Sequence, residues 1–596
     1  MSIRIATGLV QGLALYLLYS AADSRVWPAT VGLIFAPLLV IAWCLPIVIL
    51  ASVSNMRTRT VAVWSGGAAL LLAGLTVHDV LRDSDRLSGA WTFWSLWVSA
   101  EDQPGRGIWP TMQLLPAIVL VLFALQTFVV AGDADRKPIA SYPRLFDAVW
   151  KHAVQLALSL TFVGLFWLLL ALGAALFHLI GLDFLKDLIQ RRWFAMPATS
   201  LAFACAVHVT DVRAGIVRGV RTLIHVLLSW LLPLMALFTA GFLASLPFTG
   251  LDLLWNTRFA TSLLVAAAFV SVLLVNAAYQ DGELEQPAPW LLRQTASLAC
   301  LALVPLVALA AYALSLRVQQ HGWTSDRIVA AAVVVVAASF ALGYAWSVFR
   351  RGAWLKGIEV TNVVTALVAL GVVLALYTPL ADPARISVTD QVARLAAGKI
   401  AVGEFDYAYL RFGGGRYGQA ALERLRDLQA GPDAAAIRQR AEVALAQKNR
   451  WDRSANAPTA QSIAQHIGVY PAGRALPESF VQQDWSVNSP QRWMLPQCLF
   501  DGTTQCDAFL VDLEGNGAEN ILLIDDNAGP TRGAAFRQGK DGKWQVAGVM
   551  SGGLWCPSAR DALRAGKFKV VQPALQDIDI DGFRLRLAEN IPTQCP

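Results

Sequence analysis

Residues 31–53 read VGLIFAPLLVIAWCLPIVILASV and contain no charged side chain. A run of this length can cross a hydrocarbon core about 30 Å thick, because an α-helix rises about 1.5 Å per residue. Residues 154–177 and 328–348 are uncharged apolar runs of the same kind. Roughly the first 380 residues are a succession of such runs, which predicts a polytopic membrane protein.

The composition supports the same class. The 596-residue chain is 56% hydrophobic and 15% charged, with a formal net charge of +6 at pH 7. Soluble globular proteins contain about 25% charged residues. The basic residues are scattered in short loops and form no continuous stripe, which argues against nucleic acid as a partner. Membrane lipids are the expected partners, and envelope proteins are further candidates.

A window-by-window reading predicts about eleven spans. They lie near residues 3–20, 31–53, 60–81, 113–132, 154–177, 195–210, 222–247, 260–279, 293–316, 328–348 and 360–380. The span near 195–210 is short and has Pro197 close to its start, so a re-entrant segment is an alternative there. This count is odd and therefore predicts a helical bundle in which the N-terminal and C-terminal regions of the chain lie on opposite sides of the membrane.

The loop charges predict the orientation. Under this count, one side receives the loops that carry Arg57, Arg59, Arg136, Lys137, Arg144, Lys151, Arg213, Arg218, Arg221, Arg350, Arg351 and Lys356. The positive-inside rule assigns that side to the cytoplasm, so residues beyond about 385 are expected in the periplasm. The first span, which follows Arg4, could also be a signal peptide. Its removal would leave the C-terminal region on the same side.

The cysteines divide into two sets. Cys44, Cys205 and Cys300 lie within apolar spans, whereas the polar C-terminal region holds Cys498, Cys506, Cys556 and Cys595. An even set in a segment placed outside the cytoplasm fits disulfide formation, and the simplest of three pairings joins Cys498 to Cys506 and Cys556 to Cys595. A zinc site is the alternative, but the usual close pair of ligands is missing.

The chain changes character after Pro379 and Pro383. Val388, Val392 and Leu395 recur at helical spacing among charged residues, and short strands with turns between them follow near the C-terminus. We therefore predict an α-helical polytopic membrane bundle of about eleven spans, followed by a smaller α+β soluble domain. The boundaries are a transmembrane domain at 1–380, a helical neck at 381–450 and a periplasmic β-rich module at 460–596.

Four polar residues lie near the predicted cytoplasmic ends of neighbouring spans. They are His152, His208, Asp211 and His225. Imidazole and carboxylate groups at membrane depth are costly unless they are paired or hydrated, so their convergence would indicate a proton or cation path, or a metal site. The alternative is that each side chain only reaches the membrane interface from the end of its own span.

A second candidate site lies in the C-terminal module. Asp512, Glu514, Asn516 and Asn520 place side-chain oxygens around Gly517, in the manner of a calcium loop. The match is incomplete, because Leu523 stands where an EF-hand would place its bidentate glutamate. A solvated turn between two strands explains the same residues. The sequence predicts no cofactor.

Several segments of the membrane region and neck are characteristic. They are residues 142–170, which begin Tyr-Pro-Arg-Leu-Phe-Asp, and residues 177–182, 207–213 and 405–418. They resemble a family of bacterial multispan envelope proteins known as domain of unknown function 4153. The resemblance implies a multispan inner-membrane protein of Gram-negative type. It implies no activity and no catalytic residues, and it does not extend to the C-terminal module.

Motifs for ATP binding and for common hydrolases are missing from the sequence: it has no P-loop, Gly-x-Ser-x-Gly elbow or His-Glu-x-x-His. The sequence therefore favours an inner-membrane protein that serves envelope transport or assembly without its own ATPase. Two alternatives stay open. One is a membrane-embedded enzyme that uses His208 and Asp211, and the other is a sensor or scaffold with a periplasmic module.

Overall fold

The chain is a multi-pass membrane protein. A computed structural model describes residues 1–82, 110–111, 113–250, 260–282, 288–447, 463, 466–483, 485, 495–499, 504–525, 533–549, 557–571, 578–580 and 583–585. Within these ranges, eleven helices are long and apolar enough to cross a membrane, which confirms the predicted number. A smaller region with a five-stranded sheet follows them, as the predicted fold class requires.

The membrane helices are α1 (Ser2–Asp23), α2 (Gly32–Ser52), α3 (Thr58–Arg82), α4 (Leu114–Asp135), α5 (Tyr142–Leu179), α7 (Arg192–Val212), α8 (Ala214–Thr249), α9 (Ala260–Tyr279), α10 (Trp290–His321), α11 (Ser325–Phe349) and α12 (Gly357–Leu376). A short helix, α6 (Phe184–Gln190), precedes α7. Helix α7 has 21 residues and is apolar enough to cross, so it matches the predicted span at 195–210 and not its re-entrant alternative.

The membrane helices pack as two groups, each with its own main buried cluster, and α12 of the second group also packs against the core of the first. In the first group, α1–α5 and α7, a buried cluster joins Val40, Leu72 and Ile118 from three helices. The cores of the second group, α8–α12, are centred on the cluster that includes Leu303 and Tyr344. The groups meet along α4 and α5 on one side and α8 and α12 on the other. We call this contact the seam.

Helices α1 and α7 approach each other more closely than ordinary side chains allow. Gly8 and Gly12 form a Gly-x-x-x-Gly motif on α1, which lets helix backbones meet. A Cβ atom on Gly8 would lie 2.7 Å from the Cβ of Ala204, and one on Gly12 would overlap the backbone of Pro197. The motif therefore fixes α1 against α7.

The neck consists of four short helices: α13 (Pro383–Ala396), α14 (Tyr407–Phe412), α15 (Gly415–Arg426) and α16 (Ala434–Ala446). Asp382 caps α13, because its side chain accepts hydrogen bonds from the amides of Ala384 and Arg385. The neck helices share a buried cluster that includes Leu410 and Leu422. Up to Leu445 the neck forms one compact unit with the membrane helices.

The C-terminal module is a second compact unit, Ala446–Pro596. Its strands are β1 (Ile467–Tyr470), β2 (Cys506–Val511), β3 (Asn520–Asp525), β4 (Gly533–Gln538), β5 (Trp544–Val549), β6 (Ile578–Ile580) and β7 (Phe583–Leu585), with helices α17 (Glu478–Val481) and α18 (Pro557–Arg564). The main sheet has the order β1-β2-β3-β4-β5, with β1 parallel to β2 and the other pairs antiparallel. A hairpin turn at Asp541 and Gly542 joins β4 to β5.

The close contact between α1 and α7 can be tested by a substitution that adds a single methyl group. In Gly12→Ala, the new Cβ must displace the backbone of Pro197, so we expect a loss of about 1–3 kcal/mol in unfolding free energy. The matched control is Gly66→Ala on α3, where nothing lies within 4 Å of the added Cβ. Thermal unfolding of the full chain in detergent measures both. Equal melting temperatures for the two variants would contradict the packing.

Candidate functional site

A buried ion pair joins α1 to α7 at the end of the bundle where α1 begins, which we call the Arg4 end. Arg4 is 2% exposed, and its Nη2 donates to Asp211 Oδ2 at 2.6 Å. The same nitrogen donates to the carbonyl oxygen of Val53 at 2.6 Å. A charged group at membrane depth is expensive unless it is paired and hydrogen-bonded, and these two contacts meet that requirement.

Lys151 of α5 holds the second oxygen of Asp211. Its Nζ lies 2.8 Å from Asp211 Oδ1 and donates to Asn55 Oδ1, also at 2.8 Å. Two cations therefore engage both oxygens of one carboxylate. Asp211 could accept a proton from a substrate only by giving up an ion pair, so the geometry favours an anchoring role over that of a general base.

His208 completes this cluster on the same face of α7. Its Nδ1 lies 3.5 Å from Arg4 Nη1. The sequence analysis named His208 and Asp211 as candidates and left their convergence open, but it missed Arg4, which is 207 residues from Asp211. One signal was available: a basic residue in an apolar span with a Gly-x-x-x-Gly motif indicates a paired charge at a helix contact.

The other two predicted residues lie against aromatic rings. The His152 ring is 6.5 Å from that of Phe123, and the His225 ring is 4.3 Å from that of Trp150. Neither ring nitrogen of His152 has a hydrogen-bond partner among the described residues, and the same holds for Nε2 of His225. In the described part of the chain, no group of three or more His, Cys, Asp or Glu side chains could hold a metal ion.

A network of uncharged polar side chains crosses the seam near the Arg4 end. Tyr344, which is fully buried, donates to Asn362 Oδ1 at 2.7 Å and accepts from Asn276 Nδ2 at 2.6 Å. Asn362 Nδ2 donates to the hydroxyl of Tyr142 at 3.0 Å. Asn276 and Asn362, which Tyr344 joins, thus both contact the hydroxyl of Tyr142, the first residue of α5, and this fixes α5 at the seam.

At the opposite end of the bundle, the neck contacts the first group through a buried carboxylate. Asp382 is 0% exposed, and its Oδ2 lies 3.1 Å from Nε2 of His78 on α3. The next residue of α3, Asp79, accepts hydrogen bonds from the amide and the hydroxyl of Thr111. We call this end of the bundle the neck end.

The neck also contacts the second group at the turn between α10 and α11. The amide of Trp323 donates to Asp390 Oδ2 at 2.8 Å, and Ser387 donates to the carbonyl oxygen of Trp323 at 3.1 Å. The hydroxyls of Tyr409 and Ser325 lie 3.0 Å apart. One neck therefore binds both helix groups, which the sequence did not predict.

In the C-terminal module, the oxygens of the predicted calcium loop are occupied by the loop itself. Asp512 accepts hydrogen bonds from the backbone amides of Glu514, Gly515, Asn516 and Gly517. The Gly517 amide contributes most to holding the pKa of the Asp512 carboxyl below its ordinary value, against an opposing effect of desolvation. The stabilisation by this carboxylate is therefore present above about pH 4 and is lost as the pH falls through the lowered pKa.

The remaining oxygens of this loop also have partners. Asn516 Oδ1 accepts from the Ala518 amide, and Asn520 Oδ1 accepts from the Leu513 amide at 2.9 Å. Glu514 Oε1 lies 3.4 Å from Nη1 of Arg537 on β4. These contacts describe a turn between β2 and β3 that is complete without a cation. A cation site at these residues stays a prediction.

The module contains the predicted disulfide between Cys498 and Cys506, whose Cα atoms are 6.1 Å apart. It ties the segment before β2 to the first residue of that strand. Closing so short a loop is worth about 2–3 kcal/mol in a chain-entropy model. The second predicted pair, Cys556 and Cys595, lies outside the described residues.

The ion cluster at the Arg4 end predicts unequal effects of removing two carboxylates. Asp211→Asn leaves Arg4 buried beside a neutral amide, so we expect a loss of about 3–5 kcal/mol in unfolding free energy. The control is Asp147→Asn: Asp147 pairs with Arg221 and is 52% exposed, so the loss there should stay below about 1 kcal/mol. Denaturation of the full chain in detergent measures both. A silent Asp211→Asn would refute the anchoring role.

Comparison with known proteins identifies a family but no activity. The family model described as "Domain of unknown function (DUF4153)" matches residues 9–426, which cover the membrane helices except the first turns of α1, and most of the neck. No curated protein and no solved structure matches the chain. The match spans more than half of the sequence, and the chain therefore belongs to the family of the domain of unknown function DUF4153.

Proposed function

We propose that the protein resides in a bacterial inner membrane with its C-terminal module in the periplasm, where it serves envelope transport or assembly without its own ATPase. In this proposal the two helix groups move relative to each other at the seam. The neck couples that movement to the module that follows it in the chain. The observation that carries the proposal is the neck's attachment to both groups at one end of the bundle.

The contacts at the two ends support an odd number of crossings. The start of α1, the turn after α2, the start of α5 and the end of α7 meet at the Arg4 end. The end of α3 and the turn between α10 and α11 meet the neck at the other end. The basic loops favour the cytoplasm for the Arg4 end. The disulfide between Cys498 and Cys506 supports an oxidising compartment for the module.

The neck attachment also supports a movement of the groups against each other. At the seam, the polar contacts of Tyr142 and the pair Asp147–Arg221 lie toward the Arg4 end. Beyond them, Leu168, Leu172 and Leu176 on α5 are exposed, and the groups meet again at the neck end, where the Tyr377 hydroxyl donates to the Gln113 carbonyl oxygen. An anchored Arg4 end with apolar helix surface beyond it suits a hinge, because van der Waals contacts between helices in lipid exchange readily with lipid chains.

The two alternatives from the sequence differ in their support. An enzyme that uses Asp211 would first have to release that carboxylate from Arg4 and Lys151. A sensor gains support from the same neck contacts, because they would carry a signal from the module to both helix groups. The sensor is therefore the second candidate.

The proposal predicts that breaking the neck contacts impairs function without changing the topology or the abundance of the protein. In a deletion strain, the full chain with alkaline phosphatase fused after Pro596 should show phosphatase activity and restore the envelope barrier to a large antibiotic. Asp382→Ala combined with Asp390→Ala removes one neck contact from each helix group. We expect this variant to keep phosphatase activity and membrane abundance but to lose the barrier.

The control variant is Arg385→Ala, an exposed change on the same neck helix. It should restore the barrier as the unmodified chain does. An inactive phosphatase in every strain would overturn the orientation. A fully restored barrier with the uncoupled variant would overturn the role of the neck in this function.

A further inference from the structure

We propose that an arginine cluster at the neck end binds a phosphate-bearing anion, such as the phosphodiester of a lipid headgroup. The cluster consists of Arg317 on α10, Arg327 on α11 and Arg394 on α13. It lies where the neck packs on the turn between α10 and α11. The inference is independent of the proposed transport role and of which face of the membrane is cytoplasmic.

Two of these arginines bind backbone carbonyls of the same turn, two residues apart. Arg327 Nη1 donates to the carbonyl oxygen of Gly322 at 2.7 Å, and Arg394 Nη2 donates to that of Gln320 at 3.0 Å. Gly322 has a φ of +73°, and a Cβ atom there would lie 2.6 Å from Cδ of Arg394. Glycine at this position therefore allows the neck arginine to lie directly on the turn.

The positive charges of Arg327 and Arg394 lie near each other, because the two side chains donate to carbonyl oxygens of the same turn. The charge of Arg317 also acts on Arg327. Like charges repel, so an arrangement that holds guanidinium groups near one another gains stability when an anion binds between them. Guanidinium also matches the geometry of phosphate oxygens, to which it can donate two parallel hydrogen bonds.

The nearby carboxylates leave donors free for a ligand. Asp390 Oδ2 accepts from the Trp323 amide, and Asp326 acts on Arg327 only from a distance. Among the described residues, neither Arg327 nor Arg394 has a carboxylate oxygen within 4.0 Å of its guanidinium, and Nε of Arg394 is buried without a hydrogen-bond partner. On the turn, both side chains donate to carbonyl oxygens, which neutralise no charge.

The position of the cluster points to a lipid headgroup as the source of the phosphate. Arg317 lies in the last two turns of α10, which ends at His321, and Arg327 lies in the first turn of α11, which begins at Ser325. Apolar helices of this length end at the headgroup layer, where basic residues between helices bind anionic lipids. A soluble phosphate could reach the same donors from the water side.

Native mass spectrometry of the full chain in detergent tests the site. The probes are phosphatidylglycerol, zwitterionic phosphatidylcholine and inorganic phosphate, each titrated alone, and phosphate is also added as a competitor of phosphatidylglycerol. We expect phosphatidylglycerol to bind more tightly than phosphatidylcholine. Arg327→Gln and Arg394→Gln should each weaken its binding about fivefold, the loss expected for one basic residue near a membrane surface.

The matched control is Arg385→Gln, which removes the same charge from an exposed position on α13. It should leave the binding of phosphatidylglycerol unchanged, and unchanged melting temperatures should show that all three variants are folded. If either cluster variant unfolds, the other gives the result. Displacement of the lipid by millimolar phosphate would support the phosphate site and assign it to a soluble source. Equal binding of both lipids without phosphate binding, or equal weakening by Arg385→Gln, would overturn the proposal.

Discussion

A hydrocarbon layer offers no hydrogen-bond partner to a protein, and the arrangement of this chain depends on that constraint. Each backbone segment at membrane depth is helical, because only a helix satisfies its own amides and carbonyls within one segment. The same constraint explains the ion cluster. Arg4 can be buried because Asp211 and the carbonyl oxygen of Val53 accept its hydrogen bonds. The glycines of α1 let α7, which carries Asp211, come close enough for this contact. The uncharged network around Tyr344 meets the requirement without any charge.

The two ends of the bundle are held together in different ways. The Arg4 end is anchored by buried polar contacts between membrane helices, whereas at the neck end the two groups are joined by a hydrogen bond from the Tyr377 hydroxyl to the Gln113 carbonyl oxygen and by the neck, which is a separate element. Asp382 and Asp390 play similar parts in the neck. The Asp382 carboxylate accepts hydrogen bonds from amides at the start of α13, and the Asp390 carboxylate accepts one from the amide of Trp323 in the turn between α10 and α11. The family match extends to residue 426 and so includes α13–α15. Most of the neck therefore belongs to the part of the chain that the family model matches, whereas its last helix and the C-terminal module lie beyond it.

The sequence predicted the spans because length and apolarity alone determine which segments can cross a bilayer. It underestimated α5, α8 and α10, whose ends continue as helix past the apolar run, where hydropathy carries no signal. It also predicted the bridge between Cys498 and Cys506, because an even set of cysteines in a polar region is a strong signal. It could not find the partners of Asp211 or of Asp382, since these contacts join residues that are distant in the chain and depend on helix packing. His152 and His225 were grouped with His208 and Asp211 because of their similar depth, but depth does not determine which way a helix faces.

The central claim is that the neck holds the ends of the two helix groups together. Spin labels introduced as unnatural amino acids at Leu179 and Phe248 would report it, because these exposed residues lie at the ends of α5 and α8, in different groups. Double electron–electron resonance on the full chain in nanodiscs measures the distance between them. We expect a narrow distribution of this distance in the protein with an unmodified neck, and a broad one when Asp382 and Asp390 are both replaced by alanine. The same narrow distribution in both proteins would contradict the account.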